Sequence, residues 1–250
     1  MKFSVLATVF LSTFAAASYI TPLSKRDPLP YEDIQLIVDG ANEMIQKYDQ
    51  DMVKIITDAK LDPKETLAQG STSGQVNIGI CKARGEVGYY LTNLVGLKKL
   101  NIKNVEYVSN DFNADAGLLT LVIKAGINPI DLSVDVLGHA IGHCGFLHPH
   151  VDISGNVDVN GMKIDILTSI VLDINNGVTV TAAEIAAVAV DFTRIDIDLD
   201  GFGIIFNPLL DIVTDSIRGR IKAKLISLVD DEIKPVLQKV VNSKLPFKLF

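Results

Sequence analysis

The chain has 250 residues, a formal net charge of −7 and 48% hydrophobic residues, with two cysteines and no tryptophan. An acidic chain without a basic stripe cannot release the counterions of a phosphate backbone, which excludes a nucleic-acid partner. A mean hydropathy of +0.31 is high for a chain with only 6% aromatic residues, so much aliphatic surface has to be buried, against protein or against something else.

Residues 1–17 have the layout of a signal peptide: Lys2, an apolar stretch from Phe3 to Phe14, and the small residues Ala15, Ala16 and Ala17. The run is too short to span a bilayer, and Glu184 with scattered Asp and Lys keeps every later apolar run below the roughly 18 residues a span requires. The expected localisation is secreted, extracellular. Residues 18–26 are expected to be a flexible N-terminus or a short propeptide ending at the dibasic pair Lys25-Arg26. Residues 27–250 then form a single domain, since no low-complexity linker divides them. In an exported chain Cys81 and Cys144 are expected to form one disulfide, worth on the order of 4 kcal/mol, with two unpaired buried thiols as the alternative.

From Tyr31 to about Ala59 the apolar positions Ile34, Ile37, Val38, Ala41, Ile45, Tyr48, Met52, Ile55 and Ile56 recur at three and four, which predicts a long amphipathic helix ending before Asp62-Pro63. Gln69 to Gly74 reads as a polar hinge. From about Gln75 to Asp200 the period is two, most clearly in Val151, Ile153, Val157 and Val159 against Asp152, Ser154, Asn156 and Asp158. The alternation recurs in Ile130 to Val136, in Met162 to Ile174 and in Ile195 to Leu199, with Asn160-Gly161 and Asn176-Gly177 as hairpin signals. Strands in series without helices between them build an antiparallel meander with one wet face. Its apolar face is expected to be covered by a C-terminal helix starting at Asn207-Pro208, with a stripe through Leu210, Val213, Ile217, Ile221, Leu225, Leu228, Val229, Ile233 and Val236 and a restart at Pro235. The expected class is α+β, a long curved antiparallel sheet wrapped around one long C-terminal helix, with an N-terminal amphipathic helix.

No motif carries catalysis. His139, His143, His148 and His150 have mixed strand parity and no zinc-binding spacing, so they read as loop and edge histidines. Asp196, Asp198 and Asp200 open like a calcium loop, but Asn207 stands where the bidentate Glu belongs, and the alternating Ile195, Ile197 and Leu199 make them the wet face of a strand. Gly70-Ser-Thr72-Ser-Gly74 lacks the serine and setting of a nucleophile elbow, and Gly201-Phe-Gly203 lacks the third glycine of a dinucleotide fingerprint. No cofactor and no metal are expected. Arg218, Arg220, Lys222, Lys224, Lys234, Lys239 and Lys244 give the C-terminal segment a basic colour suited to transient membrane contact.

The order of these elements and several local strings resemble the group 7 mite allergens, within the tubular lipid-binding superfamily that includes juvenile-hormone-binding and bactericidal permeability-increasing proteins. The strings are Asp27-Pro28-Leu-Pro-Tyr31, Leu147-His148-Pro149, and above all Gly201 to Val229 with its glycine turn, Asn207-Pro208 and leucine-rich, Asp-interrupted helix. The resemblance implies a curved sheet around the C-terminal helix, an elongated apolar pocket between them, a lipid-like ligand and no enzyme. The residues expected to face that pocket are Leu210, Val213, Ile217, Ile221 and Leu225 on the helix and Val134, Val157 and Ile166 on the sheet. The functional expectation is a secreted carrier or sensor of a small hydrophobic molecule. The alternative is an extracellular defence or interaction module that binds microbial lipid or a protein partner.

Overall fold

A computed structural model describes Ile34 and residues 49–129, 131–175, 179–242 and 245–248. The expected signal peptide at residues 1–17, residues 18–26, most of the first predicted helix, Ile130, Asn176-Gly177 and Lys244 lie outside the described residues. In chain order the elements are α1 (Asp49–Asp58), β1 (Lys64–Ile78), β2 (Cys81–Val95), β3 (Leu100–Asn113), β4 (Leu118–Pro129), β5 (Leu132–His143), β6 (His150–Asp173) and β7 (Thr179–Asp200). A helical segment follows: α2 (Gly203–Phe206), a 3-10 turn (Asn207–Leu209), α3 (Leu210–Leu228), a π-turn (Val229–Ile233) and α4 (Lys234–Asn242), before the short β8 (Phe247–Lys248). The class is α+β. The predicted restart near Pro235 is the junction of π-turn and α4, and helical structure begins at Gly203, before the predicted Asn207-Pro208 start.

All strands belong to one antiparallel sheet built around β6, whose 24 residues serve two neighbours on one side. His150–Val159 pairs with β5 and Ile164–Asp173 pairs with β4, while β7 runs along the other side over nearly the whole length. Beyond β5 lie β2 and β1, and beyond β4 lies β3. The edge strands β1 and β7 both pack on α3. A sheet in which β1 and β7 both meet one helix has to curl, and the twist of long strands supplies the curl.

Asn160-Gly161, expected as a hairpin, is a kink inside β6. Gly161 has φ +64°, and the ladder to β7 passes from Asn160–Arg194 to Met162–Phe192 around it. Before it the buried residues are Ile153, Val157 and Val159; after it they are Met162, Ile164, Ile166, Ile170 and Leu172. The parity of the inward positions changes at Gly161, so both halves of the strand keep their apolar side on the same core. A Cβ there would lie 2.5 Å from Thr193 Oγ1.

The expected hinge at Gln69–Gly74 is likewise part of β1. Its glycines serve packing rather than flexibility: a Cβ on Gly70 would fall 2.5 Å from the Tyr89 ring, and one on Gly74 would fall 2.7 Å from Leu209 Cδ2. Asp62, buried between α1 and β1, accepts the backbone N–H groups of Gly96 (3.1 Å) and Lys98 (2.6 Å) and so fastens the β2–β3 turn. Cys81 and Cys144 form the expected disulfide, joining the β1–β2 turn to the loop between β5 and β6.

Gly161→Ala should cost roughly 1–3 kcal/mol, from left-handed strain and the Thr193 clash, read as a lower urea midpoint. A second effect is acid-dependent. Burial pushes the Asp165 carboxyl up, but the ammonium groups of Lys124 and Lys163, each 3.1 Å away, more than offset this and hold its pKa below the ordinary value. A depressed carboxylate pKa contributes stability above the unfolded value of about 4, lost as pH falls through the folded value. Asp165→Asn should therefore flatten the fall in stability below about pH 4, measured by denaturant titration across that range.

Candidate functional site

The candidate site is the interior between α3 and the sheet. Leu209, Val213, Ile217, Ile221 and Leu225 stand four residues apart, one above the other along a single helix face, and all are fully buried. Asp211, Arg220, Lys222 and Lys224 are exposed on the other faces of the helix. Val134 and Val157 are direct cross-strand partners on β5 and β6, and both are fully buried.

Ile166 is buried as well, but it lies nine residues beyond Val157, past Gly161, a strand distance of about 30 Å. It pairs with Ala125 on β4 and Val188 on β7, in the half of the sheet that β3 and β4 complete. The eight predicted residues thus belong to one contiguous core that is elongated along β6. Leu210 is the one that sits only partly inside; Leu209 takes the position one turn before Val213.

The helix is fastened to both sheet edges by polar side chains. On the β1 side, Tyr89 Oη and Ser216 Oγ are 2.7 Å apart, and Lys64 Nζ donates to Glu232 Oε2 at 2.7 Å. On the β7 side, the Gln238 amide of α4 donates to the Ala183 carbonyl (2.9 Å) and accepts from the Ile185 N–H (2.7 Å). That amide occupies the outer edge of β7 as a further strand would.

Between these fastenings the seams are open. Along β1 runs a groove of about 460 Å³, lined by Gln69, Ser71, Gly88, Tyr90, His139 and Arg220. Along β7 runs one of about 360 Å³, lined by Phe192, Arg194, Ile195, Arg218 and Lys222 among others. A third, of about 340 Å³, lies over β1, β2 and β5 between Ser71, Arg84, Glu86 and His139. None of the eight predicted residues lines any of the three, because those residues lie beneath the surface the grooves border.

One interior residue had no signal in the sequence. Thr168 of β6 is buried on the same face as Ile166 and Ile170, and its Oγ1 has no hydrogen-bond partner among the described residues. An unpartnered hydroxyl in an apolar interior costs free energy. His143 and His148 approach each other, Nδ1 to Nδ1 at 3.3 Å. Among the described residues no His, Cys, Asp and Glu side chains are grouped to hold a metal, and no helix is long and apolar enough to cross a membrane.

No family model matches the chain. Mite allergen Lep d 7 of Lepidoglyphus destructor is 25% identical over 202 residues, covering 81% of this chain and 84% of the allergen. In sequence the chain is therefore like a group 7 mite allergen, as the local strings suggested. Among solved structures, lipopolysaccharide binding protein is 18% identical with a TM-score of 0.37, the match covering 78% of this chain and 39% of that one. Takeout 1 of Epiphyas postvittana is 16% identical with a TM-score of 0.30, covering 81% of this chain and 86% of that one.

Gln238→Ala would strip partners from the Ile185 N–H and the Ala183 carbonyl at the β7 edge. A loss of roughly 1–3 kcal/mol is expected by chemical denaturation, with faster hydrogen exchange at Ile185.

Proposed function

We propose that the protein is a secreted, non-enzymatic carrier or sensor that holds a small lipid-like molecule between α3 and the sheet. The observation that carries this reading is the orphaned Thr168 hydroxyl on the same buried face as the aliphatic side chains of Ile166 and Ile170. A ligand with an aliphatic body and one hydroxyl or carboxyl group satisfies both: its body lies along Ile166 and Ile170, and its polar end pairs with Thr168. Val213, Ile217, Ile221 and Leu225, opposite Val134 and Val157, continue the apolar wall along the helix. Because these side chains are close-packed, the ligand enters as α3 moves off the sheet, through the seams beside Arg220 or beside Arg218 and Lys222.

Burial is the driving force. Removing some 300 Å² of ligand surface from water gains about 7 kcal/mol gross, and ordering costs reduce this to affinities of about micromolar. No reaction is required for this role, and among the described residues the interior offers neither a nucleophile beside a base nor a pair of carboxylates.

Protein purified from its natural source is expected to yield an apolar species on extraction and mass spectrometry, and the delipidated protein is expected to bind a fluorescent fatty acid. An empty protein that also ignores the probe would sink this reading. Thr168→Val should leave stability unchanged or slightly higher and weaken the fatty acid about tenfold, while binding of the corresponding alkane is unchanged.

A further inference from the structure

One end of the molecule is built from two matched turns. In the first, Ile78 and Cys81 are the last cross-strand pair of β1 and β2, and Gly79-Ile80 makes the turn with φ +61° at the glycine. In the second, Cys144 and Leu147 exchange backbone hydrogen bonds of 3.0 and 2.9 Å around Gly145-Phe146, with φ +59° at the glycine. A positive φ at the first central residue and a negative one at the second is the II′ pattern, in which the second residue stands outward and is ordinarily polar. Here those positions hold Ile80 and Phe146, which are 107% and 90% exposed.

The Cys81–Cys144 disulfide joins the bases of the two turns, with their Cα atoms 6.3 Å apart. The two apolar tips are thereby held side by side as one unit. α2 borders the same end: a Cβ on Gly142 would lie 3.6 Å from Phe206, and the neighbouring Ile204 is 96% exposed. Among the described residues the other exposed large apolar side chains, such as Leu137, Tyr90 and Val108, are about half covered, so three that stand almost wholly in solvent at one end need a destination.

The charge at this end differs from that of the whole chain. Residues 76–84, 141–150 and 201–210 contain Lys82, Arg84 and three histidines but no Asp or Glu, in a chain with 30 acidic residues against 23 Lys and Arg. Arg84 meets Glu86 at 3.1 Å just outside this region, and Lys82 is exposed. An apolar tip with the exposed Lys82 beside it and no Asp or Glu in its own three segments fits a surface that is apolar within and anionic at its face.

We propose that this disulfide-linked double turn docks the protein on anionic phospholipid bilayers, with Ile80 and Phe146 inserted below the headgroups and Lys82 among them. Two separate fingertips offer little of the flat area, about 800 Å² per partner, that a stable protein interface uses, whereas they suit shallow insertion between lipids. This docking does not depend on whether the interior carries a ligand.

The test is flotation of the full chain with vesicles of phosphatidylcholine alone and of phosphatidylcholine mixed with phosphatidylglycerol. Binding is expected to the mixed vesicles, and I80S/F146S, which places ordinary turn residues at both tips, should bind at least about tenfold more weakly. Lys82→Glu should weaken binding to the mixed vesicles as well. Because the chain has no tryptophan, F146W supplies a single reporter, whose emission should shift blue and be quenched by brominated lipid. An intact near-ultraviolet spectrum and unchanged fatty-acid binding in vesicle-free buffer would show that I80S/F146S retains its fold, and would separate failure of docking from failure of the ligand reading. The proposal is overturned if the wild type stays unbound, if I80S/F146S floats like the wild type, or if F146W shows no shift. It is overturned too if the wild type is a dimer that I80S/F146S dissolves, since the tip would then be covered by a second copy.

Discussion

The architecture depends on keeping one side of β6 apolar over 24 residues while the strand changes neighbours. A strand that leaves β5 at Val159 and meets β4 at Ile164 crosses a stretch where no ladder holds it on that side. Without adjustment the twist accumulated over that length would turn one half's apolar face away from the core. The left-handed residue at Gly161 resets the phase, so Val157 and Ile166, an odd number of residues apart, both point inward. The elongated core, and therefore any elongated site within it, follows from that single kink.

A sheet curled by long strands leaves two problems, an open mouth and two bare edges. The helical segment from Gly203 to Asn242 answers both. The four-residue stripe on α3 closes the mouth with aliphatic side chains, while Ser216, Glu232 and Gln238 reach sideways to β2, β1 and β7. The two kinds of contact differ in consequence. Aliphatic packing is non-directional and tolerates a guest molecule; the polar fastenings are discrete and hold the helix in one register. A closure made of both can loosen between its polar fastenings while they hold.

Period and stripe were legible in the sequence because they are local. Alternation named inward residues of β5 and β6 and, on β7, Ile195 but not Val180, Ala183 or Ile185, and the C-terminal stripe named Val213, Ile217, Ile221 and Leu225, which are fully buried. The failures are non-local. Asn160-Gly161 between alternating runs is a hairpin signal by every local rule, and only the change of partner from β5 to β4 makes it a kink. Gly70 and Gly74 read as a hinge because the Tyr89 ring and Leu209 that require their small size come from distant parts of the chain. Leu209 against Leu210 was a choice of three or four residues back from Val213, settled by the helix's approach to β1. Thr168 and Gln238 carry no pattern, since one Thr in a strand or one Gln on a helix looks like any other until its partner, or the lack of one, is seen.

The two unusual regions stand in opposite relation to water. Inside, a hydroxyl has been placed where water is excluded; at the tip, Ile and Phe have been placed where water is unavoidable. Each costs free energy in the isolated chain, and neither is required by the fold: valine would serve at Thr168, and serine or asparagine would serve at the second turn positions. Such departures from local consistency are tolerated where something outside the chain repays them. Under the two proposals one class of molecule would answer both, because a lipid offers a polar group to a buried hydroxyl when bound singly and an apolar layer to exposed side chains when assembled as a bilayer.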